Sequence, residues 1–224
     1  MDFLVSVLPA FGRGFANTVY LTVLAGLVAT ALGTVIAGMR VSPVPVLRRA
    51  GALYVNIVRN TPLTVVFVFA AYGLPKLDVQ FQQFEAIGLN TFFVFALIAL
   101  SVYTAAFVAE AIRSGINSVA PGQAEAGRAV GMTFVQNLRL IVLPQALRAV
   151  LPPLASTYIA LLKNTAIAEF FGVVEATAAF DTLTRDNPDK IYQLFVIDAA
   201  GYILLVLVIS AVFAVLERRM RVAR

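Results

Sequence analysis

The chain has 224 residues, 60 % hydrophobic and 13 % charged, with a mean hydropathy of +0.88; average soluble domains carry about 25 % charge, so it reads as an integral membrane protein built as one helical bundle. It contains neither cysteine nor histidine, which excludes disulfides, thiol chemistry, metal sites built on those residues, and serine or cysteine catalysis through a histidine base. No G-x-x-x-x-G-K-[ST] run is present, so the chain holds no ATP by a P-loop of its own, and its net charge of +5 forms no nucleic-acid patch because the basic residues sort by membrane side.

Residues 1–13 open with Asp2 and have no Lys or Arg before the apolar positions, the reverse of a secretory signal. Leu4, Leu8, Phe11 and Phe15 share one helical face. This is either a short interfacial helix leading into the first span or an extension of that span. Residues 15–39 are uncharged and long enough for a first transmembrane helix, since about 20 residues cross a hydrocarbon core of roughly 30 Å.

A second span is expected at 50–74, broken at Arg59-Asn60-Thr61-Pro62, which places Arg59 near one end. The third covers 91–113 and ends on Glu110 and Arg113, an i, i+3 pair. The fourth, 146–174, contains Pro152-Pro153 and Lys163-Asn164-Thr165, and the fifth covers 192–216. With the N-terminus outside, eleven basic residues fall in the cytoplasm: Arg40, Arg48, Arg49, Arg113, Arg128, Arg139, Arg148, Arg218, Arg219, Arg221 and Arg224. Four fall outside (Arg13, Lys76, Arg185, Lys190) and two within spans (Arg59, Lys163). That bias predicts a cytoplasmic C-terminus and a cytoplasmic loop at about 114–145.

The loop is the polar interruption around which the chain is organised. Pro121 suits the first position of a helix, and 123–130 is rich in helix formers and small side chains. Gly131 is a plausible helix stop in the left-handed conformation. Thr133 with Gln136 reads as a capping box opening a second short helix, which Pro144 then interrupts or kinks.

Glu125-Ala126-Gly127, three residues, Gly131, nine residues, then Ile141-x-Leu143-Pro144 closely resembles the E-A-A, G, I-x-L-P signature of permease subunits of ATP-binding-cassette (ABC) importers. Gly127 departs from it, standing where the family most often has a second alanine. Gly14, Thr18, Leu21 and Thr22, the run Arg59-Asn60-Thr61-Pro62-Leu63, Glu110-x-x-Arg113-x-Gly115-Ile116, Gly122-Gln123, and Leu162-Lys163-Asn164-Thr165 are similar to polar amino-acid permeases. Met39-Arg40-Val41-Ser42-Pro43 and 58–62 look most like the glutamate-type importers of actinobacteria.

The resemblance implies an all-α type I ABC importer permease fold of five transmembrane helices with a cytoplasmic coupling helix. It implies a non-catalytic, multi-pass subunit of the bacterial cell membrane that forms the path for a polar amino acid, glutamate first, or glutamine or aspartate. The expected partners are ABC ATPase subunits, a second permease subunit (identical or not), an extracellular solute-binding protein and membrane lipid, but no nucleic acid. ATP and Mg²⁺ are expected on the ATPase, with no cofactor in this chain. Gln123, Glu125, Ala126, Gly127, Gly131, Phe134, Ile141, Leu143 and Pro144 are the expected ATPase-coupling residues. Among them Glu125 is expected to pair with Arg128 or Arg139, and Phe134 either enters a groove on the ATPase or packs within its own chain.

Ionisable groups inside spans face protein or a water-filled path. Lys163, about 17 Å beyond Pro152 along a helix, falls near the midplane, where it either attracts a substrate carboxylate or pairs with Glu110 or Glu169. Arg59 has the stronger structural reading. Asn60, Thr61, Asn164 and Thr165 are polar neighbours able to line the path. The competing reading is a self-sufficient channel or secondary carrier, which leaves the signature loop without a purpose.

Overall fold

A computed structural model describes residues 2–77 and 90–220; Asp78 and Glu85, in the polar connection between the second and third expected spans, and Arg221 and Arg224, expected in the cytoplasm, lie outside the described residues. Every described element is helical: α1 (Asp2–Val41), α2 (Pro45–Asn60), α3 (Leu63–Val68), α4 (Leu74–Lys76), α5 (Thr91–Asn117), α6 (Pro121–Ala129), α7 (Phe134–Asn137), α8 (Leu143–Asn164), α9 (Ala176–Asp186) and α10 (Ile191–Met220). Wide π-turns join α3 to α4 at Phe69–Gly73 and α7 to α8 at Leu138–Val142, and a 3₁₀ segment, Thr165–Phe171, follows α8.

Four stretches are long and apolar enough to cross a membrane: Phe3–Val41, Thr91–Asn117, Val135–Phe171 and Pro188–Met220. A fifth exists if Pro45–Asn60 and Leu63–Lys76 act as one span, although they meet at 104°. The bend follows from Pro62, which has no N–H and holds its predecessor extended; Thr61 has φ −92° and ψ 130°. Carbonyls near the end of α2 find local donors: Thr61 N donates to Val58 O. Asn60 Nδ2 donates to Asn56 O and Thr61 Oγ1 donates to Ile57 O.

The opening of the chain is an extension of the first helix and not a separate interfacial one. α1 is continuous over 40 residues, about 60 Å at the usual rise, and its first turns keep an apolar seat because Val7 and Phe11 bury against Ala179 and Leu194. Of the two outcomes expected at Pro144, an interruption or a kink, interruption is not seen. The π-turn before this proline widens the backbone where its ring would otherwise meet the carbonyl four residues back, so the helix runs on. The same device precedes Pro75.

α5 is the centre of the bundle, buried along most of its length. Phe67, Leu100 and Leu161 pack with Leu21 in a core shared by α1, α3, α5 and α8. α10 fully buries only Leu194; one face of it, with Ile197, Tyr202 and Phe213, packs on the bundle while the opposite face is exposed.

Candidate functional site

The elbow of the loop is built as a closed hydrogen-bonded unit. α6 ends in a Schellman turn: Gly131 adopts φ +82°, Gly131 N donates to Arg128 O and Met132 N donates to Gly127 O. The next helix opens with the reciprocal capping box, Thr133 N to Gln136 Oε1 at 2.9 Å and Gln136 N to Thr133 Oγ1 at 3.3 Å. Asn137, buried, then ties the two helices together by donating from Nδ2 to Ala124 O at 2.6 Å.

The departure at Gly127 has a steric cause. A Cβ there would lie 2.7 Å from Asn137 Nδ2 and 2.8 Å from Ile141 Cδ1, closer than packed atoms allow. An alanine there would have to displace the Asn137 amide or the Ile141 methyl, so glycine lets Asn137 sit against α6 undisturbed.

Around this unit Gln123, Glu125, Ala126, Gly131, Leu143 and Pro144 are exposed, Gly127 is buried and Ile141 is half-buried. The side chain of Phe134 lies outside the described residues. Glu125 does not pair with Arg128 or Arg139 as expected; among the described residues it forms no ion pair. All three groups are exposed, where such a pair gains at most about 1 kcal/mol against the side-chain entropy it costs.

The charge within the bundle gathers elsewhere. Glu110 Oε2 accepts from Arg40 Nη1 and Glu110 Oε1 accepts from Arg113 Nη2, while Arg59 Nη1 stands 3.9 Å from Oε2. The Arg59 guanidinium also lies over the Phe107 ring, 5.3 Å from its centroid. The Glu110–Arg113 pair was legible in the sequence, but the convergence of Arg40 and Arg59 was not. Part of its signal was present, because the charge bias put Arg40 on the cytoplasmic side, the break at 59–62 put Arg59 near one end of its span, and Glu110 closes the third span. Lys163 does not pair with Glu110 or Glu169. It is exposed and forms no ion pair among the described residues, and the Glu110 oxygens are already taken.

Two cavities flank Phe107. One of about 400 Å³ is lined by Tyr103, Thr104, Phe107, Ser156, Thr157, Ala160, Leu161 and Asn164. The other, about 250 Å³, is lined by Val55, Asn56, Arg59, Asn60 and Phe107. Of the expected path residues, Arg59, Asn60 and Asn164 border these spaces. Lys163, Thr61 and Thr165 border neither, and Thr165 is buried with its hydroxyl donating to Leu162 O.

At the other end of the bundle the sequence reading missed Glu175. This carboxylate is fully buried and caps α9 by accepting from Ala178 N at 2.9 Å. It also accepts from Tyr202 Oη of α10 at 2.9 Å and Thr18 Oγ1 of α1 at 3.3 Å, while Thr18 Oγ1 accepts from Ala176 N. Burial pushes the carboxyl above the ordinary range, and these donors pull it back in part. Glu175 stood in a polar run after the fourth span; without knowing that α9 folds back onto α1, nothing marked it as buried.

Among the described residues, all regular structure is helical and several helices are long and apolar enough to cross a membrane, which defines a multi-pass membrane protein. Residues 6–222 match the family of binding-protein-dependent transport system inner membrane components. The chain is 40 % identical over 222 residues to the glutamate transport system permease protein GluC of Corynebacterium efficiens, covering 98 % of this chain and 96 % of that one. It is 32 % identical over 213 residues to the glutamate/aspartate import permease protein GltJ of Escherichia coli, covering 93 % and 86 %. The crystal structure of an amino acid ABC transporter with histidines superposes with a TM-score of 0.83 at 32 % identity, over 96 % of each chain. The protein belongs to the binding-protein-dependent transport system inner membrane component family and is an amino-acid permease of an ABC importer.

Proposed function

We propose that this permease carries glutamate or a close relative inward, driven by ATP hydrolysed with Mg²⁺ on a partner ATPase. A second permease subunit completes the path and an extracellular binding protein delivers the substrate. In this reading α2 to α4 act as one bent span, giving five, with the N-terminus outside and the elbow in the cytoplasm. The observation that carries the reading is the elbow itself. It is locked by a Schellman turn, a capping box and the Asn137 clamp, yet it presents Glu125 exposed and unpaired to whatever docks there. A lever that turns spans as bodies has to be stiff, and its charged face has to be free for a partner. The glutamate assignment is supported by the 40 % identity to a glutamate permease.

On this reading Gln123, Glu125, Ala126, Gly127, Gly131, Phe134, Ile141, Leu143 and Pro144 form or frame the docking lever. Asn164, with the hydroxyls lining its cavity, borders the path. The test is uptake of labelled glutamate into proteoliposomes holding the assembled complex and binding protein. Accumulation is expected only with ATP inside the ATPase-bearing compartment. Equal accumulation by this chain without an ATPase contradicts the reading and favours a secondary carrier.

A further inference from the structure

Glu110 offers two carboxylate oxygens to three guanidinium groups. Arg113 takes Oε1 and Arg40 takes Oε2, while Arg59, at 3.9 Å, is beyond hydrogen-bond reach. Three cations against one anion leave a local positive surplus, and Arg59 is the member of the cluster least satisfied by it. Its side chain is 42 % exposed and rests on Phe107, the residue that borders both cavities. Among the residues lining those two cavities, Arg59 alone is charged; the others are hydroxyl, amide, aromatic or aliphatic. Asn56 and Asn60 beside it add polar groups. An arginine with free N–H groups in a fixed fork is suited to a carboxylate, and every amino acid carries one while glutamate carries two. The nearby Glu110 has a further consequence. A transport site must hold its cargo weakly enough to release it, and a resident carboxylate competing for the same cation provides that limit.

We infer that Arg59 is the carboxylate receptor of the transport path, exchanging its loose contact with Glu110 for the carboxylate of an amino acid passing Phe107. This rests on the importer reading above. The carboxylate is either the α-group common to all amino acids or the side-chain group of glutamate, and three ligands separate the two: glutamate, glutamine (α-carboxylate only) and isoglutamine (side-chain carboxylate only).

Their dissociation constants would be measured by calorimetry on the purified permease–ATPase complex, without binding protein. Arg59→Gln is expected to weaken glutamate about tenfold, the loss of one charge-assisted contact. It is expected to weaken one of the two amides similarly and leave the other unchanged, with Arg59→Lys recovering part of the loss. Sensitivity of glutamine assigns the α-carboxylate, and sensitivity of isoglutamine assigns the side chain. Equal weakening of all three ligands, as from an arginine that only ties helices together, overturns the inference. So does no weakening at all, or no saturable binding by the wild-type complex. ATP-driven glutamate uptake by the same wild-type preparation keeps the importer reading standing in those cases; if uptake also fails, both fall.

Discussion

Gly127 and Asn137 illustrate how one side-chain contact decides the residue opposite it. The amide of Asn137 reaches Ala124 O across the space that a Cβ at position 127 would crowd. Gly127→Ala, a return to the commoner family residue, is expected to destabilise this protein by about 1–3 kcal/mol, the usual cost of overpacking. Trimming the amide with Asn137→Ala should make the added methyl less costly, so the double variant should lose less than the two single losses combined. Thermal unfolding of the four proteins in detergent checks this. The departure at position 127 was visible in the sequence, but its cause was not, because Asn137 and Ile141 are ten and more residues away along the chain.

At the scale of elements, short polar signals were read correctly wherever the chemistry is local. Pro121 opens α6, Gly131 turns it, and Thr133 with Gln136 caps α7, since each depends only on neighbouring backbone. Pro144 does not break the helix because a π-turn lets it pass the proline, and no residue type announces that turn in advance. The Glu175 latch was hidden for a different reason. Its partners Thr18 and Tyr202 lie on α1 and α10, so its burial depends on how helices assemble.

That latch has a pH consequence. Folding raises the Glu175 carboxyl above its ordinary value, so the folded chain binds its proton more tightly than the unfolded one. The stability from this group is whole below the ordinary carboxylate range and is lost as pH rises through the elevated folded value. Glu175→Gln, neutral at every pH, is expected to flatten that slope. Glu175→Ala is expected to cost about 1–3 kcal/mol through the lost cap and the stranded donors. Urea unfolding in micelles across acidic and neutral pH measures both; a wild-type slope that persists in Glu175→Gln would assign it to another group.

For the molecule as a whole, the bent pair α2 to α4 decides the topology, since its crossing makes five spans. The chain lacks cysteine, so single cysteines report without background. Val44→Cys and Gly122→Cys are at exposed positions, and nothing crowds a side chain at 122; Asp189→Cys is also exposed. Five spans with the N-terminus outside place Val44 and Gly122 in the cytoplasm and Asp189 outside. An impermeant thiol reagent added to intact cells should then label only Asp189→Cys. If the pair does not cross, Val44 and Gly122 fall on opposite sides and one of them labels. Four of the five expected spans appear as single helices long enough to cross, but the 104° bend in the remaining one was not legible, because Pro62 announces a break and leaves its angle to packing.

The central claim is that the elbow transmits ATP hydrolysis to the transport path. The most direct measurement is ATP-driven glutamate uptake, with ATP hydrolysis followed in parallel, for wild type, Glu125→Ala and Gly131→Val in the assembled complex. Glu125→Ala removes the free charge of the lever. Gly131→Val forces a β-branched residue to φ +82°, a strain of about 1–2 kcal/mol or more. Uptake is expected to fall at least about tenfold in each, as for loss of an interface anchor, with hydrolysis uncoupled from transport or the ATPase released from the membrane. Wild-type uptake and wild-type coupling in both variants would contradict the account and leave the elbow as a connection between spans.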